Sequence, residues 1–234
     1  NIGRLKVHHN HQRSKQNKNL KLTTKKTFRG MPILTSYGAL CIPYLDKIYN
    51  TIEIALDNHP RLMAIRVDLR FPKLKAHQEW GNVMQLFIRS LQSQIDCTTR
   101  RKQRLGEMVH PCKVRYVWVK ERSTSVADHY HLLLLLNKDR FNWVGTTKNK
   151  KNNLGSLIVE AWARVVGIDY NEAIGLVFFS KDKETKSVVI HRLDSDSNSF
   201  DDDFEELFKH VSYLAKEKTK HYGEGSRCFG ASIR

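Results

Sequence analysis

Residues 129–136 read HYHLLLLL, and five consecutive leucines leave the surrounding chain few ways to fold. Leucine is a good helix former, so a buried helical segment is one option. The run is short, however, and bounded by Asp128 and Asn137. Those features favour a central strand covered on both faces by other elements. Neighbours for such a strand lie upstream. In residues 62–71, LMAIRVDLRF, Met63, Ile65, Val67, Leu69 and Phe71 alternate with Ala64, Arg66, Asp68 and Arg70. This period of two predicts a strand with one buried face, stopped by Pro72. Residues 112–120, CKVRYVWVK, are rich in β-branched and aromatic side chains and predict another strand.

Helical spacing is read over residues 45–58, from about Trp80 to Lys102, over Leu154–Val166 and over Phe200–Lys218. Further strands are expected near Ile174–Phe179 and Val188–Leu193, with a short terminal one in Arg227–Arg234. A Lys/Asn-rich loop covers Gly145–Asn153. The last helix carries the clearest signals. Ser199 precedes it, with Asp202 three residues on in a capping-box pattern. Asp201, Asp202 and Asp203 lie at its positive end, Lys216, Lys218 and Lys220 at its negative end, and Gly223 and Gly225 after it. Phe200, Phe204, Leu207, Phe208, Val211, Leu214 and Ala215 form its apolar stripe. Residues 46–234 therefore read as one α+β domain.

Residues 1–45 differ in kind. They contain no Asp or Glu, and Arg4, Lys6, Arg13, Lys15, Lys18, Lys21, Lys25, Lys26 and Arg29 give them +9 of the chain's net +16. The expected form is a basic arm able to lie along a phosphate backbone, because each neutralised phosphate releases counterions. The four cysteines are scattered, with no Cys-x-x-Cys pair, which argues against a zinc ribbon or a disulfide framework and for a reducing compartment. No apolar run approaches the ~20 residues of a membrane span, and no secretory leader is expected.

On a strand, His129 and His131 point to the same face, so both imidazoles can reach one metal ion while Tyr130 packs on the other side. The His-x-His pattern alone is weak, since the chain has eleven histidines and repeats the pattern at His9 and His11. A hard cation also wants oxygen. Glu121, at the end of the preceding strand, is one candidate and Asp68 a rival; each has an ordinary reading as a solvated acid. Tyr213 falls off the apolar stripe of the last helix, on the side of Lys209, Lys216 and Lys220, where a tyrosine can meet a phosphate or simply face water.

Taken together and in order, Glu121, His129-Tyr130-His131 and Tyr213-x-x-Lys216 resemble the HUH superfamily of rolling-circle replication initiators. The runs HYHLLLLLN and VSYLAK, with RVDLRFP upstream, look like the filamentous-phage replication-protein family and its cryptic-prophage relatives. The resemblance covers roughly Leu45–Arg234. It implies an α+β fold with a central antiparallel sheet of about five strands and packed helices. It implies that His129, His131 and Glu121 hold Mg²⁺ or Mn²⁺, that Tyr213 attacks a scissile phosphate, and that Lys216, about one helical turn away, helps neutralise it. Tyr222 is the nearby second tyrosine, but its spacing puts it on the other side of a continued helix, so a single-tyrosine enzyme is expected. The expected activity is site-specific nicking and strand transfer on single-stranded DNA or an origin hairpin, through a 5′-phosphotyrosine, in the cytoplasm of a bacterial host. A host helicase or polymerase is an expected partner. Arg66, Arg70, Lys148, Lys150, Lys151, Lys209 and Lys220 are the expected DNA contacts. The alternatives are a transposase or relaxase of the same chemistry and a non-catalytic DNA-binding module.

Overall fold

The computed structural model describes residues 12–73, 81–122, 128–218, 220 and 227–232. In chain order the elements are β1 (Leu22–Thr23), β2 (Thr27–Phe28), β3 (Met31–Pro32), β4 (Leu40–Cys41), α1 (Ile42–Asn58), β5 (Arg61–Arg70), α2 (Val83–Arg104), β6 (Arg115–Glu121), β7 (His129–Asn137), α3 (Leu154–Val166), α4 (Tyr170–Ile174), β8 (Val177–Phe179), β9 (Ile190–Asp194) and α5 (Phe200–Val211). A 3-10 turn (Ser212–Ala215) and β10 (Phe229–Ala231) follow. α2 starts at Val83; Trp80, the expected start, and His9, His11, Tyr222, Gly223 and Gly225 lie outside the described residues.

β7 is the centre of the sheet. It pairs antiparallel with β6 on one side and along its whole length with β5 on the other. The order is β10-β6-β7-β5, and the far edge of β5 is shared by β8 and β9. The sheet thus has six antiparallel strands rather than about five, because two short strands divide one edge.

Helices cover both faces, which explains the leucine run. Tyr130, Leu132, Leu134 and Leu136 join one core with α2, α3 and α4. Leu133 and Leu135 join a second core with α1 and α5. Burying each leucine contributes roughly 1.5–3 kcal/mol. β5 differs from the expected single buried face: Leu62 and Ala64 enter the second core while Met63, Ile65, Val67 and Leu69 enter the first. Among the described residues no helix is long and apolar enough to cross a membrane.

Two expectations from the sequence change. The segment read as a basic arm through residue 45 is folded from residue 12 onward. Its β1 pairs with β4, and β2 turns back onto β3 through Arg29 and Gly30, both at positive φ, as a tight hairpin requires. Leu20, Leu22, Ile33, Leu40 and Cys41 are buried in the second core. They are too sparsely spaced to show a period, so their burial is invisible locally.

The last helix is shorter than expected. It stops at Val211 and tightens into the 3-10 turn through Ser212, which keeps helical dihedrals while its hydroxyl donates to Lys209 O (2.7 Å) and accepts from the Leu34 N–H (2.9 Å). Ser199 makes no capping bond; its hydroxyl donates to Asp203 Oδ2 (2.8 Å), and its ψ of 6° is not the extended conformation of a side-chain cap. The reciprocal box occurs at α3 instead, where the Asn153 side chain accepts from Ser156 N–H (3.0 Å) and Ser156 Oγ accepts from Asn153 N–H (3.2 Å).

Leu40→Ala is expected to destabilise the whole domain by about 2–5 kcal/mol, whereas Lys25→Ala, on the exposed surface of the same segment, should stay within about 0.5 kcal/mol. Urea unfolding distinguishes them; equal, small effects would return residues 12–41 to the status of an appendage.

Candidate functional site

The face of the sheet that carries the second core ends in polar groups at one end of β7. There the register sets Glu121 opposite His129, His131 opposite Asp68, and His129 opposite Arg70. Residues directly opposite on antiparallel strands share a face, so three strands deliver two carboxylates and two imidazoles to one spot. Glu121, His129 and His131 each offer a ligand atom, all within 4.8 Å of one another, and form a group that could hold a metal ion. The His129 and His131 rings are 4.8 Å apart and nearly perpendicular.

The nitrogens of His131 have separate duties. Nδ1 lies 2.7 Å from Asp68 Oδ1, while Nε2 faces Glu121 Oε2 at 3.5 Å. Asp68, the rival ligand in the sequence, is therefore the carboxylate that orients His131 from behind, an arrangement common around metal-binding imidazoles. Burial alone lowers the pKa of His131, but Asp68 and Glu121 outweigh it and raise the net value. His129 is held lower than usual by burial and by the neighbouring His131, which favours the neutral, ligating form.

Glu121 is almost completely shielded from water, with Lys216 Nζ at 2.9 Å and Lys220 Nζ at 3.5 Å. Its burial by itself raises the pKa; His131, Lys220 and Lys216 together hold the carboxyl well below its usual range. Lys220 is fully buried and also donates to the Lys216 carbonyl. Burial lowers its pKa to about 8 against the pull of Glu121. This corrects its reading as a DNA contact, since an ammonium packed against Glu121 has no surface to offer a phosphate.

Tyr213 comes from the 3-10 turn after α5. It is half-buried, and its hydroxyl accepts a hydrogen bond from Lys216 Nζ. The same ammonium contacts Glu121, so Lys216 ties the phenol to the carboxylate of the metal-binding group. The ring of Tyr213 stands 6.1 Å from that of His131 and 5.0 Å from that of Tyr37, edge-on to both, with the Arg66 guanidinium 5.4 Å from its centroid. The turn is held by the N-terminal segment: besides the Ser212–Leu34 bond, Lys216 bridges to Leu40 and Glu217 N–H donates to Ala39 O (3.0 Å).

The other expected DNA contacts divide. Arg66 and Arg70 lie on the site's face, Arg66 with Nε 3.8 Å from Asp68 and Arg70 with its guanidinium 4.7 Å from the exposed ring of Phe178. Lys209 is exposed in the last turn of α5. Lys148, Lys150 and Lys151 are exposed in the loop entering α3, which packs on the other face, and Lys150 pairs with Glu160 (3.1 Å). The fold does not gather these three with the metal-binding group.

Sequence reasoning missed Tyr37, His191 and His210. His191 on β9 and His210 on α5 meet with Nε2 and Nδ1 2.8 Å apart. No local pattern marks them, because the contact exists only once α5 lies over the sheet.

An α+β protein with a Glu-His-His group, built on a buried Glu121, facing a tyrosine–lysine turn is the class these observations define. The chain belongs to the family of the YagK/YfjJ C-terminal domain, whose family model matches residues 23–232. It is 29% identical over 215 residues to the uncharacterized protein YagK of Escherichia coli K12, covering 88% of this chain and 98% of that one. It is 25% identical over 208 residues to the uncharacterized protein YfjJ of the same organism, covering 85% and 97%. No solved structure matches the chain.

Two measurements test this geometry. In titration calorimetry His129→Ala should lower Mn²⁺ affinity at least tenfold and Asp68→Asn by about 10- to 100-fold; unchanged binding in His129→Ala would put any metal elsewhere. Burial lowers both His191 and His210, the latter to about 4 with further help from His191 and Arg66, while Glu206 and Asp203 oppose the shift at His191. Groups with depressed histidine values support the fold above about 6.5, the unfolded value, and lose that support as pH falls towards 4. The urea midpoint should therefore fall over this window, and less steeply in His210→Gln; identical slopes would show that the pair does not govern it.

Proposed function

We propose that this protein is a metal-dependent, site-specific single-strand DNA endonuclease and strand transferase, acting in the manner of the rolling-circle initiators it resembles. The observation that carries the reading is the Lys216 ammonium, which touches both the Tyr213 hydroxyl and the Glu121 carboxylate. A nucleophile of the right type is thereby held beside a cluster with metal-ligand chemistry. The net charge of +16 and the presence of Arg66 and Arg70 on the same face support a polyanionic substrate.

The donor set fits Mg²⁺ or Mn²⁺: one carboxylate and two imidazoles, one of them oriented by Asp68. Bound there, such an ion would polarise a non-bridging oxygen of the scissile phosphate and offset charge in the transition state. The protein's own groups do the rest. Tyr213 Oη attacks phosphorus in line, forming a tyrosine–phosphorus bond as the bond to the 3′ oxygen breaks. The phenolic proton passes to water, and the departing 3′ oxygen gains a proton to leave as a hydroxyl. Lys216, bonded to the phenol, would neutralise a non-bridging oxygen of the scissile phosphate. The phosphotyrosine retains the energy of a phosphodiester, so a 3′-hydroxyl returning to the same site can reseal the strand. A phosphate that must reach a half-buried phenol demands an unpaired strand, either single-stranded DNA or the loop of a hairpin.

The test uses labelled single strands from the replication region of the element that encodes the protein, with Mn²⁺. The unaltered protein should nick one of them and leave a protein–DNA adduct stable to denaturant. Tyr213→Phe should form no adduct, and Lys216→Ala should nick roughly a hundredfold more slowly. Normal nicking by Tyr213→Phe would remove the phenol from the reaction, and the absence of nicking on every such strand would overturn the enzymatic reading.

A further inference from the structure

A cleft of about 430 Å³ opens beside Tyr213 on the side away from Lys216 and Glu121, within the size range of small-ligand sites. We infer that this cleft seats one unpaired nucleotide of the bound strand, next to the scissile phosphate, with its base against Tyr37 and its phosphate on Arg66. The inference rests on the DNA-nicking reading above and adds to it a specific subsite and a reason for single-strand preference.

Three features of the cleft point to a nucleotide. The first is a buried donor in need of an acceptor. Arg66 Nε is shut off from water and makes no hydrogen bond among the described residues, its contact with Asp68 being an ion pair at 3.8 Å. Unpaired buried donors are rare in folded proteins and commonly mark a ligand position. The Arg66 side chain as a whole is 21% exposed and lines the cleft, where its guanidinium can meet an anionic oxygen. Lys181 and Lys183, on the turn between β8 and β9, line the same cleft, opposed by Asp182 and Glu206, so the lining has a net positive charge.

The second is an exposed aromatic wall. Tyr37 also lines the cleft and is 52% exposed, far more than a core aromatic. Its edge-on contact with Tyr213 fixes the ring at the mouth of the site. Exposed rings beside cationic grooves are the usual platform for unpaired bases.

The third is the hydrogen-bonding character of His191 and His210, which also line the cleft. Burial keeps both neutral at pH 7. Each neutral imidazole carries one N–H, and one of the two is spent on the bond between them. Whichever way that bond runs, the two outer nitrogens present one donor and one acceptor. That pair suits a nucleobase edge, which mixes donors and acceptors, better than a bare phosphate, which only accepts. A base whose Watson–Crick edge is engaged here cannot remain paired, so the cleft in that mode selects an unpaired strand.

The experiment separates this subsite from the chemistry. Binding of a fluorescent oligothymidylate is followed by anisotropy in EDTA, where no metal contributes. Tyr37→Ala should weaken binding roughly tenfold or more, and Tyr37→Phe, which keeps the ring and loses the hydroxyl, should bind as the unaltered protein does. Melting curves confirm that the half-exposed position leaves the fold intact. Iododeoxyuridine placed along the strand and irradiated should cross-link to Tyr37. If oligothymidylate binds equally well to Tyr37→Ala and the cross-links map away from the cleft, the subsite is wrong. A Tyr213-dependent nick in that same protein would leave the nuclease reading standing. If no single strand of any composition binds the unaltered protein, both ideas fall together.

Discussion

A carboxylate nearly sealed from water must be compensated by the groups around it, and Glu121 is compensated from three directions. His131 approaches from the neighbouring strand, Lys216 from the turn after α5 and Lys220 from beyond that turn. Removing one partner of a buried charge is far more damaging than removing an exposed one. The cluster therefore ties the central strands to the C-terminal segment. Geometry near Tyr213 is largely a consequence of where Glu121 sits, since the lysine that reaches the phenol is the lysine that reaches the carboxylate.

A second constraint comes from the N-terminal side. The turn that presents Tyr213 is pinned by Leu34, Ala39 and Leu40, residues that look like tail in the linear sequence. Their role joins folding to function: the segment buries Leu40 and Cys41 in the core shared with α1 and α5, and its backbone bonds to Ser212, Lys216 and Glu217 in the turn after α5. Had α5 continued regularly, Tyr213 and Lys216 would have lain on a straight helical face. The chain instead carries both side chains over the end of β7, where Lys216 meets Glu121 and Tyr213 meets His131.

Much of this was legible in advance. A strand has a side-chain period of two, so HYHLLLLLN placed His129 and His131 on one face and Tyr130 on the other without any knowledge of the fold, and the stripe from Phe204 to Ala215 is buried as its spacing required, with Phe200 partly so. The nearness of Glu121 followed from a short connection between two strands. Less legible were the division of labour between Glu121 and Asp68, the burial of Lys220, and the meeting of His191 with His210. Lys148, Lys150 and Lys151 looked equivalent to Arg66 as basic residues, yet they precede a helix on the opposite face.

The distinction has a physical basis. Local periodicity is a property of the backbone, so strand identity, face assignment and the apolar stripe are written into neighbouring residues. Register between strands, the end of a helix and the burial of a lysine are set by contacts between distant parts of the chain. The bond between Leu34 and Ser212 joins residues 178 positions apart, and Glu121 meets Lys220 across 99. Strand register decided that Asp68 would stand behind His131 and Glu121 beside His129, and only the packing of α5 and the N-terminal segment onto the sheet decided that Tyr213 would look across at them.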